Sequence, residues 1–249
     1  MLNRWPVCGS WVNLLSRDQL LHLVSSCQFG RPFIFANHNL HSLHLVQTDT
    51  EMQRFYSGAS AIHVDGMPIV ALTRVLGAPA WPRHRHTSAD FLLPFLARLR
   101  ENGKRVFIVG GKQEVLVPFL NLMADRLPGL CLDGHHGYLH HDEAASRAAC
   151  AAINGFKPDL LLLGMGMPLQ ERWYIKHQAV LPPCMVMNLG AFMDYWVGAK
   201  SMPPRALAAC GLEWAWRLGS EPRRLWRRYL VEPLLLAVPF ALHRRRVRW

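Results

Sequence analysis

The sequence predicts an α/β fold, a mostly parallel sheet with helices on both faces, extended by a basic helical C-terminal appendage. Three observations carry this prediction. Short apolar runs of 3–5 residues, each closing on polar residues or glycine, recur along the chain. Stretches of helical spacing separate them, and continuous apolar strands alternating with helices indicate a parallel sheet buried on both faces. Near residue 205 the composition turns to Arg, Trp and Leu.

In order, the strand-like runs are 31–37 (Arg-Pro-Phe-Ile-Phe-Ala-Asn), 61–66 (Ala-Ile-His-Val-Asp-Gly), 105–111, 159–164 and 185–190. Helical spacing fits 88–102, 112–126, 142–154 and 168–179. Ligands of such sheets sit at the carboxyl ends of the strands. Those ends carry Asn37 and Asn39, Asp65 and Gly66, Gly110 and Gly111, Gly164 and Gly166, and the stretch Asn188 to Asp194.

With 249 residues, 51% of them hydrophobic, the chain holds too much apolar material for a disordered tail and enough for one large core. Its net charge of +11 favours polyanionic partners. The charge is regional: from Glu213 to Trp249 nine arginines face three acids, so +6 of the excess lies in the last 37 residues. We expect residues 1–205 to form the α/β core and 206–249 a membrane-associating appendage. Six cysteines without a CxxC pair argue against a zinc knuckle or a disulfide framework and fit a reducing cytoplasm. The N-terminus lacks the marks of a signal peptide. The longest apolar stretch, Leu234 to Leu242 with Pro239 inside it, falls short of the ~20 residues a membrane span needs.

Asp65 is the leading carboxylate. It closes an apolar strand ahead of Gly66 and can serve either as a general base or as the cap of the next helix. Asp194 is a weaker candidate of the same kind. Gly110-Gly111-Lys112 runs from a strand into a helix, as a phosphate-binding turn or merely a tight βα turn does. Gly164 and Gly166 supply GxG, yet Leu169 stands where a dinucleotide fingerprint needs its third glycine. Pro168 suits a first helical position, which puts Gln170 and Glu171 in a first turn facing the cleft. The histidine pairs 84/86, 135/136 and 140/141 lack HExxH spacing, so no metal is expected. Asp49-Thr-Glu51 reads as a solvated face. Trp214, Trp216, Trp226 and Trp249 among arginines suit an anionic membrane surface. A core-packed helical pair and an RNA-binding tail are the alternatives, and nothing in the chain has the exposed sheet aromatics or Gly/Arg segment that would favour nucleic acid.

Taken together, an ordered series of motifs resembles the WecG/TagA/CpsF family of glycosyltransferases, from about residue 33 to 229. The series includes Asn37-His-Asn39, Val64-Asp65-Gly66, Arg85-His-Thr-Ser-Ala-Asp90, Val106-Phe-Ile-Val-Gly-Gly111, Gly164-Met-Gly-Met-Pro168-Leu-Gln170-Glu171, Gly190-Ala-Phe-Met-Asp194 and Gly211-Leu-Glu213-Trp214 through Arg224. The resemblance implies a Rossmann-like, inverting, metal-independent enzyme without a cofactor. It would move a sugar from a UDP-sugar to a polyprenyl-pyrophosphate-linked saccharide, peripherally bound at the cytoplasmic face of the bacterial inner membrane, with a homo-oligomer left open. By the same resemblance Asp65 is the base, Asn39 and Arg85 complete the catalytic set, and Gln170 belongs to the substrate site. Asn37, Asp90, Gly110, Gly111, Gly164, Gly166, Glu171, Asp194, Arg217, Arg223 and Arg224 are the remaining substrate-binding candidates. Leu169, Ala89 and Met202-Pro-Pro-Arg205 depart from the family pattern and put donor affinity or choice in doubt. A nucleotide-binding oxidoreductase and a non-catalytic membrane or RNA adaptor are the rival classes.

Overall fold

The computed structural model describes residues 2–25, 32–204, 207, 211–238 and 240–241. The expected boundary at 205/206, the arginines 205, 244, 245, 246 and 248, Trp249, Cys27 and Cys210 lie outside them.

Six parallel strands form the sheet: β3 (Phe33–His38), β4 (Ala61–Val64), β5 (Arg105–Gly110), β6 (Cys131–His135), β7 (Leu160–Gly164) and β8 (Met185–Asn188). Their order is β4-β3-β8-β7-β5-β6, preceded in the chain by a small hairpin of β1 (Trp5–Val7) and β2 (Ser10–Val12). All five strands expected from apolar runs are present. β6 was not expected, because Cys131-Leu-Asp-Gly-His is half polar, as an edge strand with one open side can be.

Helices wrap both faces. They are α1 (Arg17–Ser25), α2 (Leu40–Thr48), α3 (Thr50–Ser57), α4 (Met67–Val75), α5 (Ser88–Glu101), α6 (Gln113–Arg126), α7 (Glu143–Phe156), α8 (Leu169–His177) and α9 (Phe192–Trp196). The period-2 alternation of each strand divides the core in two. Ala36, Ile62, Val64, Val109, Leu163 and Val186 meet α2, α3, α7 and α8 on one face. Phe35, Ala61, Ile108, Leu162 and Met187 meet α1, α5, α6 and α9 on the other. Asp49 is not part of a free polar face: it caps α3, accepting from the backbone N–H groups of Glu51 and Met52.

The chain leaves β3, one strand in from the edge, for β4 at that edge, then crosses to β5 and β6 at the other side before returning to the centre through β7 and β8. Such a reversal of direction opens a crevice above the strand ends. Close contact there demands glycine: a Cβ on Gly110 would stand 2.7 Å from the Cα of Gly164 on the neighbouring strand.

The C-terminal segment folds back over this edge as α10 (Glu213–Ser220), α11 (Pro222–Trp226), a π-helical turn (Arg227–Val231) and α12 (Glu232–Leu235). Leu225 and Leu236 are buried beneath it, while Trp214, Trp216, Trp226, Leu230, Leu234 and Leu235 are exposed. Among the described residues no helix is long and apolar enough to cross a membrane.

Candidate active site

Asp65 stands at the tip of β4, and its backbone N–H donates to the His38 carbonyl at 2.9 Å, tying the tips of β4 and β3 together. Gly66 follows at φ +143°, a conformation that strains any residue with a side chain, and itself caps α4 without a side-chain bond. Asp65 is thus released from a capping role. Asn37 Nδ2 donates to Asp65 Oδ2 at 2.9 Å and orients the carboxylate from the β3 side.

The carboxylate opens into a cavity of about 270 Å³. Asn39, His41, Met67 and Arg85 line it from the core, and Glu213, Trp214, Arg217, Arg228 and Tyr229 from the C-terminal segment. Asn39 is held there as the cap of α2, its Oδ1 accepting from the Ser42 N–H at 3.1 Å.

Arg85 rides beside Asp65 because its segment forms a parallel bridge to Val64, with the His86 N–H donating to the Val64 carbonyl at 2.9 Å. Its guanidinium lies 3.2 Å from Glu213 and 3.5 Å from Asp90. Asp90 accepts from the Thr87 hydroxyl at 2.6 Å in the first turn of α5. It therefore steers Arg85 and does not line the cavity.

Arg217 and Arg228 bring two largely buried cations opposite the carboxylate. Burial opposes the charge of Arg217, but Tyr195, Tyr229, Asp65 and Glu213 outweigh it and hold the group above its usual range. Burial, with Arg217 adding to it, pulls Arg228 below its usual range despite Asp65 and Glu232. Three guanidinium groups (Arg85, Arg217, Arg228) against two carboxylates (Asp65, Glu213) in a small, partly dry space leave one net positive charge, the arrangement an entering anion needs. His41 Nδ1 and Glu232 Oε2, 2.6 Å apart, fasten the segment to α2. Burial alone would raise Glu232, and the bond and charge of His41 hold it below the carboxylate range instead. Among the described residues, no three or more His, Cys, Asp and Glu side chains are grouped to hold a metal ion.

The model of the glycosyl transferase WecG/TagA/CpsF family matches residues 5–248. The chain belongs to that family. It is therefore a glycosyltransferase with an α/β Rossmann-like fold. A curated relative from Staphylococcus aureus strain MW2, named N-acetylglucosaminyldiphosphoundecaprenol N-acetyl-beta-D-mannosaminyltransferase, is 26% identical over 203 residues, 78% of either chain. Relatives of the same name from strains NCTC 8325 / PS 47 and MRSA252 show the same identity and coverage.

In this WecG/TagA/CpsF member the PxQE stretch departs from the sequence expectation. Pro168 is the cap of α8 and Leu169 its first residue, one position later than expected. Gln170 and Glu171 are fully buried, not facing the cleft, because the first turn of α8 packs its polar side chains onto Asn188 and the strand-end loops. Gln170 Oε1 accepts from the N–H groups of Gly166 and Gly190, each at 3.2 Å, and pins two strand-end loops together. Glu171 Oε1 accepts from Gln170 Nε2 at 2.8 Å and Asn188 Nδ2 at 2.7 Å.

Burial pushes the Glu171 carboxyl up from 4.5 to about 7. A raised carboxyl favours the folded state fully only below its unfolded value, and that contribution disappears as pH climbs through the folded one. Glu171→Gln is expected to flatten the fall in stability between about pH 4.5 and 7, on the order of 2 kcal/mol, read by urea unfolding on either side of that window.

Other expected residues are dispersed. Gly110, Gly111, Gly164 and Gly166 sit at the ends of β5 and β7, away from the Asp65 cavity. Asp194 lies in α9, also off the cavity. Arg223 and Arg224 are exposed, and Arg224 is paired with Glu221. Arg228 lines the cavity instead. Its spacing from Arg217 gives no signal, because the helix breaks at Glu221–Pro222 and turns π-helical at Arg227. Glu213, Trp214, Tyr229 and His41 were also missed, since only the docking of the segment reveals them.

Proposed function

We propose that this chain transfers a sugar from a UDP-sugar to a polyprenyl-diphosphate-linked saccharide, with inversion and without a metal, in the synthesis of a bacterial cell-surface polysaccharide. The observation that carries the reading is Asp65, held by Asn37, in one cavity with Arg217 and Arg228. Asp65 takes the proton of the acceptor hydroxyl as its oxygen attacks the anomeric carbon from the face opposite UDP. The bond to the diphosphate breaks, and its growing negative charge is met by Arg217 and Arg228, with Arg85 alongside.

The relatives' name supports inversion, because it specifies transfer of an N-acetyl-beta-D-mannosaminyl group. Passing from an α-linked donor to a β product requires one displacement, and one displacement requires one base. The same name supports a lipid-diphosphate acceptor. A cavity of about 270 Å³ lies just under the ~300–1,000 Å³ of small-molecule sites, so it suits the reacting sugar and phosphates while the nucleoside extends beyond it. Gly111 and Gly166, at φ +61° and +84° on the strand ends, offer backbone for that extension. The exposed Trp226, Leu230, Leu234 and Leu235 beside the segment's arginines support peripheral attachment to the anionic, cytoplasmic face of the membrane.

The direct test incubates the protein with a panel of UDP-sugars and a short-chain polyprenyl-diphosphate N-acetylglucosamine in excess EDTA. A β-linked disaccharide, identified by proton NMR, is expected. No product from any donor, an α-linked product, or activity abolished by EDTA and restored by manganese contradicts the reading. Sedimentation with phosphatidylglycerol vesicles is expected to fall about tenfold or more on Leu234→Glu with Leu235→Glu. Unchanged sedimentation would remove that surface from membrane contact.

A further inference from the structure

Beneath Asp65 lies a polar pair of which the proposed mechanism uses only one member, Asn37. Asn37 and His63 are direct partners in the β3–β4 register, on the sheet face that also carries Phe35 and Asp65. His63 is 2% exposed and Asn37 6%. The His63 ring packs against Phe35 at 5.1 Å and Phe91 at 5.8 Å between centroids. Among the described residues, both its ring nitrogens and Asn37 Oδ1 are buried without a well-formed hydrogen bond, the ring meeting only the Val64 backbone in a poorly aligned contact that is the smallest influence on its charge.

The proton arrangement is constrained at each end. A carboxylate only accepts, so Asn37 must present Nδ2 to Asp65, which leaves Oδ1 as the unengaged end of an amide whose neighbour across the strands is His63. Burial, and then the charge of His86, push His63 down to about 3, so its ring is neutral and carries one N–H donor and one acceptor. His86 donates from Nε2 to the Leu15 carbonyl at 2.8 Å, and its ring centroid stands 6.5 Å from that of His63. Unmatched polar atoms in an aromatic setting are unfavourable unless something joins them. A single buried water, with two donors and two acceptors, can join one His63 ring nitrogen to Asn37 Oδ1.

We propose that His63 is a positioning residue for Asp65: its ring N–H donates to one buried water, which donates to Asn37 Oδ1 and so fixes the amide that aims the carboxylate. The chain runs His63, water, Asn37, Asp65, and no member but Asp65 meets substrate. Its catalytic consequence rests on the reading of Asp65 as the base.

A high-resolution crystal structure of the wild-type protein is expected to hold an ordered water within hydrogen-bond distance of Asn37 Oδ1 and a His63 ring nitrogen. Without that water the proposal is overturned. His63→Leu, close in size and apolar, is expected to lower kcat about tenfold with donor KM within about twofold, and His63→Gln, which can donate again, to recover most of it. In an Asn37→Ala background His63→Leu is expected to do no further harm, because it acts through Asn37. Wild-type kcat in His63→Leu, or a full tenfold loss added to that of Asn37→Ala, overturns the proposal. If Asp65→Asn keeps its turnover, the base assignment fails, while the water and the non-additivity remain readable on their own.

Discussion

Asp65→Asn is expected to lower kcat by about 10²–10⁴-fold while UDP binds as to the wild type. The substitution preserves shape and leaves an amide oxygen to accept from Asn37 Nδ2, so the tip of β4 should keep its geometry. What it removes is the capacity to take a proton. A ground-state contact to the nucleotide would appear instead as weaker UDP binding, measured by calorimetry on the protein used for turnover. Retained turnover would refute the base assignment. The local structure makes this a clean substitution, since Gly66 caps α4 and no helix depends on the carboxylate.

Arg217→Ala and Arg228→Ala are each expected to reduce kcat/KM by about 10²–10³-fold, whereas Arg223→Ala and Arg224→Ala should stay close to wild type. The first two guanidinium groups line the cavity of Asp65, and the second two are exposed on α11. Removing a cation from the cavity withdraws charge stabilisation where solvent is partly excluded. Removing one from the surface changes little, because water and salt already screen it. Steady-state kinetics of the four variants at one ionic strength decides the matter. Equal losses in all four would mean that the segment acts through its overall charge, not through the two arginines that share the cavity of Asp65.

The contrast between these pairs marks where the sequence stopped being legible. Apolar runs such as Leu160–Gly164 declare a strand because both faces of a central strand are buried. Motif order picked out Asp65, Asn39, Arg85 and Arg217, which the fold brings to one cavity. The phase of the basic segment was not readable, since it depends on a break at Glu221–Pro222 and on a π-helical turn, each of which rotates every later side chain. The same limit applies to Gln170 and Glu171: which face of α8 packs onto the sheet is set by tertiary contacts, and it leaves Gln170 fastening the Gly166 and Gly190 loops and Glu171 bonded to Asn188. Roles that hang on docking, such as Glu213 on Arg85 and Glu232 on His41, have no local signal at all.

A crystal structure with UDP and an acceptor saccharide bound is the most direct measurement of the whole account. It should place the acceptor hydroxyl about 3 Å from the Asp65 carboxylate. The diphosphate should lie against Arg217 and Arg228 on the opposite side of the anomeric position. An acceptor oxygen out of reach of Asp65, or a diphosphate that touches neither arginine, would contradict it.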